Sequence, residues 1–395
     1  MFAAAVNRLG ALCVAFVTLL TPVKAQEFQT AATAAWVYDQ TTGTVLLDKN
    51  ADTPLPPASM SKLMTIYLAF EAVASGRLAP DQRLPVSEHA SSFGGSTMFL
   101  DTTDQVRVED LLRGVIVLSG NDASVVLAEA LSPDGTEAGF AQLMNRKAAE
   151  LEMTKSHFVN ASGWPTPGHV MSMHDLGILA DRLIRDFPTF YPIFSETEFA
   201  FDNRAPANTQ NRNPILGMDV GADGLKTGHT SEAGYGLVGS AKQGDRRIIF
   251  VITGLQSETQ RRDEAARIVN WAFRQFALRD LSAAGTRLAA ADVWMGSAPD
   301  VGLTLAEDIS ILVPSHAAGT VNAEVRYRSP VIAPVAAGQE LGELVISRDG
   351  LPDLRVPLVA ETAVSEGGFI VRVQTALHVL IDRFVTSSAN PAEVS

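Results

Sequence analysis

The hydrophobic pattern divides the chain into regions of different period. Ala34–Asp48 reads as a β-hairpin with its turn at Thr41-Thr42-Gly43. Beyond Pro56-Pro57-Ala58, the residues Leu63, Met64, Ile66, Tyr67, Phe70 and Val73 recur at helical spacing. Proline suits the lead-in to a helix and not its interior, so this helix should begin close to Ser59. The apolar run Leu111–Leu118 and the stretch Ala123–Leu131 predict further helices in a helix-rich middle. Asp223-Gly224 carries a turn signal, and Tyr235–Ala241 and Arg247–Leu255 read as strands joined through Gln243-Gly244-Asp245. A helix over Asp263–Phe276 closes the unit. Strands, then helices, then strands imply an α/β (α+β) domain with one central antiparallel sheet flanked by helices.

Around Asp280–Gly285 the texture changes. Ile309–Val313, Val321–Arg326, Glu343–Ile346 and Leu354–Val359 are short β-rich runs punctuated by Pro and Gly, the pattern of a small all-β sandwich. Over Phe369–Val385, Phe369, Val373, Leu377, Leu380 and Phe384 fall on one side of a helical projection and Arg372, His378 and Asp382 on the other. That amphipathicity suits a helix lying in a membrane surface. The expected organisation is a leader (1–25), a first domain (26–283), a β-sandwich (284–365), an amphipathic anchoring helix (366–387) and a disordered tail (388–395).

The N-terminus has the form of a secretory signal: Arg8, an apolar core Leu9–Leu20 too short to span a bilayer, and small residues at Val23-Lys24-Ala25. Cleavage after Ala25 would remove Arg8, Lys24 and Cys13, the only cysteine, and take the formal charge from −13 to −15. The expected product is exported, acidic and free of thiols. Its charge argues against nucleic acid as a partner.

Candidate chemistry begins at Ser59-Met60-Ser61-Lys62, the one Ser-x-x-Lys in the chain. Residues i and i+3 share a helical face, so the Lys62 amine can reach the Ser59 hydroxyl and take its proton. About one such tetrad is expected by chance in a chain this long, so alone it decides little. Two more elements follow in order: Ser119-Gly120-Asn121 between two helical stretches, and Lys226-Thr227-Gly228 ahead of the strand pair. A second Ser-x-Asn at Ser388-Ala389-Asn390 shows how cheap that motif is by itself. The set, in this order and context, is specific.

On these motifs the chain resembles the low-molecular-mass penicillin-binding proteins, in particular D-alanyl-D-alanine carboxypeptidases with a C-terminal β-domain. The likeness extends through Lys226-Thr227-Gly228-His229-Thr230, Ala233-Gly234-Tyr235-Gly236-Leu237-Val238 and Arg261-Arg262-Asp263-Glu264-Ala265. It implies a β-lactamase/transpeptidase-like first domain, a peptidoglycan stem peptide ending in D-Ala-D-Ala as substrate, and β-lactams as inhibitors. Ser59 is then the nucleophile and Lys62 its base, neutral because it is buried beside the cation Lys226. Ser119 lies on the proton path to the leaving amine, and Asn121 holds the substrate backbone or orients Lys62. The backbone amides of Ser59 and His229 form the oxyanion site. Arg261, at the family's spacing past Lys-Thr-Gly, binds the terminal carboxylate together with Thr227, and Arg212 supports the site.

The resemblance also implies peripheral attachment at the periplasmic face of the cytoplasmic membrane through the C-terminal helix. A homodimer is left open. No cofactor is expected, and the histidines show no zinc spacing: His169 and His174 lie five apart and do not share a helical face. The competing activities are peptidoglycan DD-endopeptidase and β-lactamase. Against the latter, Asn160–His174 contains no Asp or Glu to activate a deacylating water. In the same loop Gly168-His169-Val170-Met171-Ser172-Met173 departs from the commoner family pattern, which bears on substrate preference.

Overall fold

The structure, a computed structural model, describes residues 28–315 and 321–368. The leader and the C-terminal amphipathic segment lie outside the described residues. The hairpin is β1 (Ala34–Asp39) and β2 (Thr44–Lys49). A 3₁₀ turn (Ala58–Ser61) leads into α1 (Lys62–Ala74). Then come β3 (Arg83–Pro85), α2 (Glu88–Ser91), β4 (Gln105–Arg107), α3 (Val108–Ile116), α4 (Asn121–Leu131), α5 (Glu137–Glu150) and α6 (Met173–Asp186). The first part ends with β5 (Ala222–Thr230), β6 (Gly234–Gln243), β7 (Arg246–Leu255) and α7 (Glu258–Gln275).

Five of these strands form one antiparallel sheet in the order β2-β1-β7-β6-β5. The period-two rule separates its faces. Ile249 and Val251 of β7 join the larger core, with Leu63, Ile66 and Phe70 of α1, Leu111 and Val115 of α3 and Leu176 of α6. Ile248, Phe250 and Ile252 point the other way, onto Ala265, Ile268, Val269 and Ala272 of α7. Those four are spaced i, i+3, i+4, i+7, one stripe of an amphipathic helix. By contrast, α1 is buried on nearly every side from Lys62 to Phe70 and is the central helix. Whatever stands at its first turn is therefore carried into the interior.

Two local expectations change. Asp223-Gly224 is not a turn before the strand: it lies inside β5, at a register shift between Ala222 and Gly224. Tertiary contacts override the local turn signal, because the Asp223 carboxylate pairs with Arg247 at 2.7 Å and accepts from the Tyr191 hydroxyl at 3.0 Å. The closing helix starts five residues early, at Glu258, because Ser257 Oγ caps it by accepting from Gln260 N at 3.0 Å.

The second part is all β: β8 (Phe276–Ser282), β9 (Arg287–Trp294), β10 (Asp300–Leu305), β11 (Ile309–Pro314), β12 (Val321–Tyr327), β13 (Val331–Ile332), β14 (Glu340–Arg348) and β15 (Leu351–Ala360). A six-stranded sheet, β12-β14-β15-β10-β9-β13, stands with the β8–β11 pair around a separate core that includes Leu303, Ile311, Ile346 and Leu358. β8 lies on the N-terminal side of the boundary read at 283, yet its hydrogen bonds go to β11. Buried Arg348 ties this part back to the hairpin through Thr44 Oγ1 at 3.4 Å. Among the described residues no helix is long and apolar enough to cross a membrane, and no group of three or more His, Cys, Asp or Glu could hold a metal ion.

Candidate active site

Ser59 lies within the 3₁₀ turn, with α1 beginning at Lys62. In a 3₁₀ turn residues i and i+3 eclipse, so the tighter turn brings the pair together more directly than an α-helix would. Lys62 Nζ is 2.9 Å from Ser59 Oγ. Two glycines let neighbouring backbone close over this turn. A Cβ on Gly163 would lie 2.0 Å from the Ala58 carbonyl oxygen, and one on Gly228 would lie 2.9 Å from that of Pro57. The third residue of Lys-Thr-Gly is thus a packing requirement where β5 passes the serine.

Lys62 is fully buried, and Nζ has two further acceptors: Asn121 Oδ1 at 2.7 Å and the Ser162 carbonyl at 2.6 Å. The Asn121 amide is oriented by its other end, where Nδ2 donates to the Gly94 carbonyl at 2.8 Å. Of the two roles expected for Asn121, the geometry displays the orientation of Lys62. A neutral lysine has two N–H bonds and one lone pair. With Asn121 and Ser162 taking the N–H bonds, the lone pair is left for the Ser59 hydroxyl. Burial pushes the Lys62 pKa down to about 7, with the Arg212 cation adding to the effect and Asp122 and Glu137 opposing it. Arg212 thus joins Lys226, whose repulsion with Lys62 is mutual, in disfavouring a charge on this amine.

Lys226, on β5, is also buried and donates to Ser119 Oγ at 2.9 Å and to the Thr227 carbonyl at 3.2 Å. Burial drives its pKa well down, helped by Lys62, Arg212 and Arg261. Ser119 holds a positive φ of 62° at the sharp bend between α3 and α4. Buried Asp122 anchors that bend by accepting from the backbone of Met98 at 2.9 Å and Leu100 at 3.1 Å. Thr227 is buried on the same strand.

Arg261 sits inside α7 and is buried. Its guanidinium lies over the Tyr235 ring at 5.6 Å, and Tyr235 stacks on His229 at 3.8 Å, so the three side chains form one pile beside the strand. Arg261 Nε has no partner, and its nearest carboxylate, Glu258, is 3.9 Å away. Arg212 is more exposed and donates to Ser96 Oγ. The structure therefore gathers two hydrogen-bonded groups, Ser59–Lys62–Asn121 and Ser119–Lys226, coupled by the repulsion between the two lysines, with Arg212 and Arg261 near enough to depress Lys226. Sequence reading missed the Ser162 carbonyl and the Asn160 side chain, whose Oδ1 accepts from Gly163 N at 2.7 Å and Trp164 N at 3.1 Å and so shapes that loop. A backbone acceptor has no sequence signature; Asn160 could be suspected only as a turn former.

A serine facing a depressed lysine, beside free cations, defines chemistry of the acyl-transfer class, with a carboxylate-bearing substrate. The chain belongs to the D-alanyl-D-alanine carboxypeptidase family of serine peptidases: that family's model matches residues 21–257, and a model of the penicillin-binding protein 5 C-terminal domain matches 276–366. The D-alanyl-D-alanine carboxypeptidase DacF of Bacillus subtilis is 34% identical over 346 residues, 86% of this chain and 87% of that one. The structure of penicillin-binding protein 5 from Haemophilus influenzae superposes with a TM-score of 0.78 at 33% identity, covering 87% of this chain and all of that one. Penicillin-binding protein D2 from Listeria monocytogenes, solved in its ampicillin-bound form, matches 62% of this chain and 98% of its own with a TM-score of 0.56 and 33% identity.

Proposed function

We propose that Ser59 is the nucleophile of this carboxypeptidase and that Lys62, in its neutral form, is the base. The Ser59 oxygen bonds to the carbonyl carbon of the penultimate D-alanine while its proton passes to Lys62 Nζ. The tetrahedral oxyanion is held by the backbone amides of Ser59 and His229. Collapse breaks the peptide bond, and the proton reaches the leaving amine by way of Ser119, releasing D-alanine. Water then hydrolyses the acyl-enzyme. Lys226, Thr227 and Arg261 take the terminal carboxylate, with Arg212 in support; bringing that anion in supplies the counter-charge the cations lack. β-Lactams acylate the same serine.

The observation that carries this reading is the fully buried Lys62, 2.9 Å from Ser59 Oγ with only neutral acceptors around its amine. We further propose that the chain acts outside the cytoplasm, with the segment 369–385 resting on the membrane surface; the short apolar leader and the one-sided apolar stripe support this. The test is D-alanine release from diacetyl-L-lysyl-D-alanyl-D-alanine, with Ser59→Ala as the blank and labelled penicillin as a second probe. Release that vanishes in the variant is expected. Penicillin labelling without D-alanine release would leave an acylating site with another substrate, such as an endopeptidase's. Rapid penicillin turnover without D-alanine release would make the protein a β-lactamase.

A further inference from the structure

A cavity of about 320 Å³ opens beside the serine turn and takes no part in the chemistry above. Its walls are the segments 56–58 and 163–170 with Thr230 and Glu232. It adjoins the nucleophile's turn: Ala58 precedes Ser59 in the chain, and Gly163 follows Ser162, whose carbonyl holds Lys62. None of Ser119, Asn121, Lys226, Arg212 or Arg261 lines it. The cations assigned to the leaving D-alanine and this cavity are thus separate parts of the cleft. An acyl centre on Ser59 carries two chains. If the cations take one, the space adjoining Ala58 is open to the other.

The lining has a distinct chemistry. Its only ionisable groups are His169 and Glu232. Burial lowers the His169 pKa to about 4, so the ring is neutral at pH 7. Its Nδ1 accepts from Val159 N at 3.1 Å, which puts the ring proton on Nε2, and that buried N–H has no partner. His169 is 4% exposed, and an orphaned donor in a cleft wall is the kind of group a bound carbonyl satisfies. Glu232 is exposed and has no partner among the described residues, leaving one net negative charge at the mouth. Trp164 is 44% exposed, yet it is held: its backbone N–H and C=O both bond Asn160, and its ring packs edge-on to Phe93 at 6.1 Å. A fixed indole face and a free carboxylate lining one cavity together suit a cation on an alkyl stem.

We propose that this cavity is the subsite for the side chain of the residue preceding D-alanyl-D-alanine, and that it selects a side chain ending in an ammonium group. The stem lies along Trp164 and the ammonium meets Glu232. This rests on the carboxypeptidase reading and extends it to the acyl-donor side.

Two tripeptides test it: Nα-acetyl-L-lysyl-D-alanyl-D-alanine, with a free side-chain ammonium, and its Nα,Nε-diacetyl counterpart. At low salt the wild-type kcat/KM should favour the ammonium peptide by about tenfold, an exposed ion pair plus a cation–π contact. Raising the ionic strength should shrink that ratio. Glu232→Gln should bring it to about one, and Glu232→Asp should restore part of it. Equal rates in the wild type, or a ratio that survives Glu232→Gln, would overturn the subsite while D-alanine release leaves the carboxypeptidase reading standing. Absence of release from either peptide would overturn that reading, and the subsite with it.

Discussion

Two sites around the central sheet bury cations and treat them in opposite ways. On the hairpin side of the sheet, Arg246 is 6% exposed and meets the fully buried Asp39 carboxylate at 2.5 Å, donates to the Phe276 carbonyl at 2.7 Å and lies over the Phe273 ring. In the cleft, Lys62 and Lys226 are buried as deeply, but every protein acceptor within reach is neutral. A buried charge is costly unless paired, so the first arrangement is stable as it stands and the second is not. The second relieves itself by losing protons, which makes a base of Lys62, and by admitting an anion, which binds substrate. Between these two sites, the charge without a counter-ion marks function and the paired one marks architecture.

The sharpest way to break this contrast is at the serine. Ser59→Ala should lower D-alanine release by about 10⁴-fold or more and abolish penicillin labelling, measured by steady-state rates and gel fluorescence. Next is Lys62→Arg, which keeps the charge but cannot shed it; acylation should fall by about 10³-fold while the protein stays folded. The architectural pair should respond in the reverse sense. Asp39→Ala strands Arg246 and should cost about 3–5 kcal/mol in denaturant unfolding, with the folded fraction still active. Lys62→Met removes a buried amine that has no carboxylate partner, and its cost, limited to the Asn121 and Ser162 acceptors left without a donor, should be smaller than that of Asp39→Ala. Arg261→Ala should reduce kcat/KM on the peptide carboxylate by about 10- to 100-fold. A peptide amide, which lacks the anion, should lose little further.

Legibility in the sequence follows the range of the interactions. The Ser59–Lys62 contact was readable because it is three residues long, and the β5–β7 region because apolar runs and turn residues mark it. Residues 276–282 were not readable as a strand: the four positions between Phe276 and Leu281 are all exposed, the apolar Leu278 among them, so β8 shows no alternation of buried and exposed positions. Asp223-Gly224 misled because its local turn preference is overridden by Arg247 and Tyr191, partners that only the fold brings near. Arg261 was legible only through the family's spacing past Lys-Thr-Gly; its burial, inside a helix that Ser257 starts earlier, has no local signature. His169 was set aside on its spacing to His174, a test for zinc that says nothing about a buried ring facing a cavity.

The central claim is that Lys62 works as a neutral amine. Its most direct test is the pH dependence of single-turnover acylation of Ser59 by a labelled β-lactam, between pH 5 and 10. A folded-state pKa near 7 means that the neutral fraction grows as pH rises, so the rate should climb through a midpoint near 7 and level off above it. A rate that is flat across this range, or that rises only toward the ordinary lysine pKa near 10.5, would contradict it.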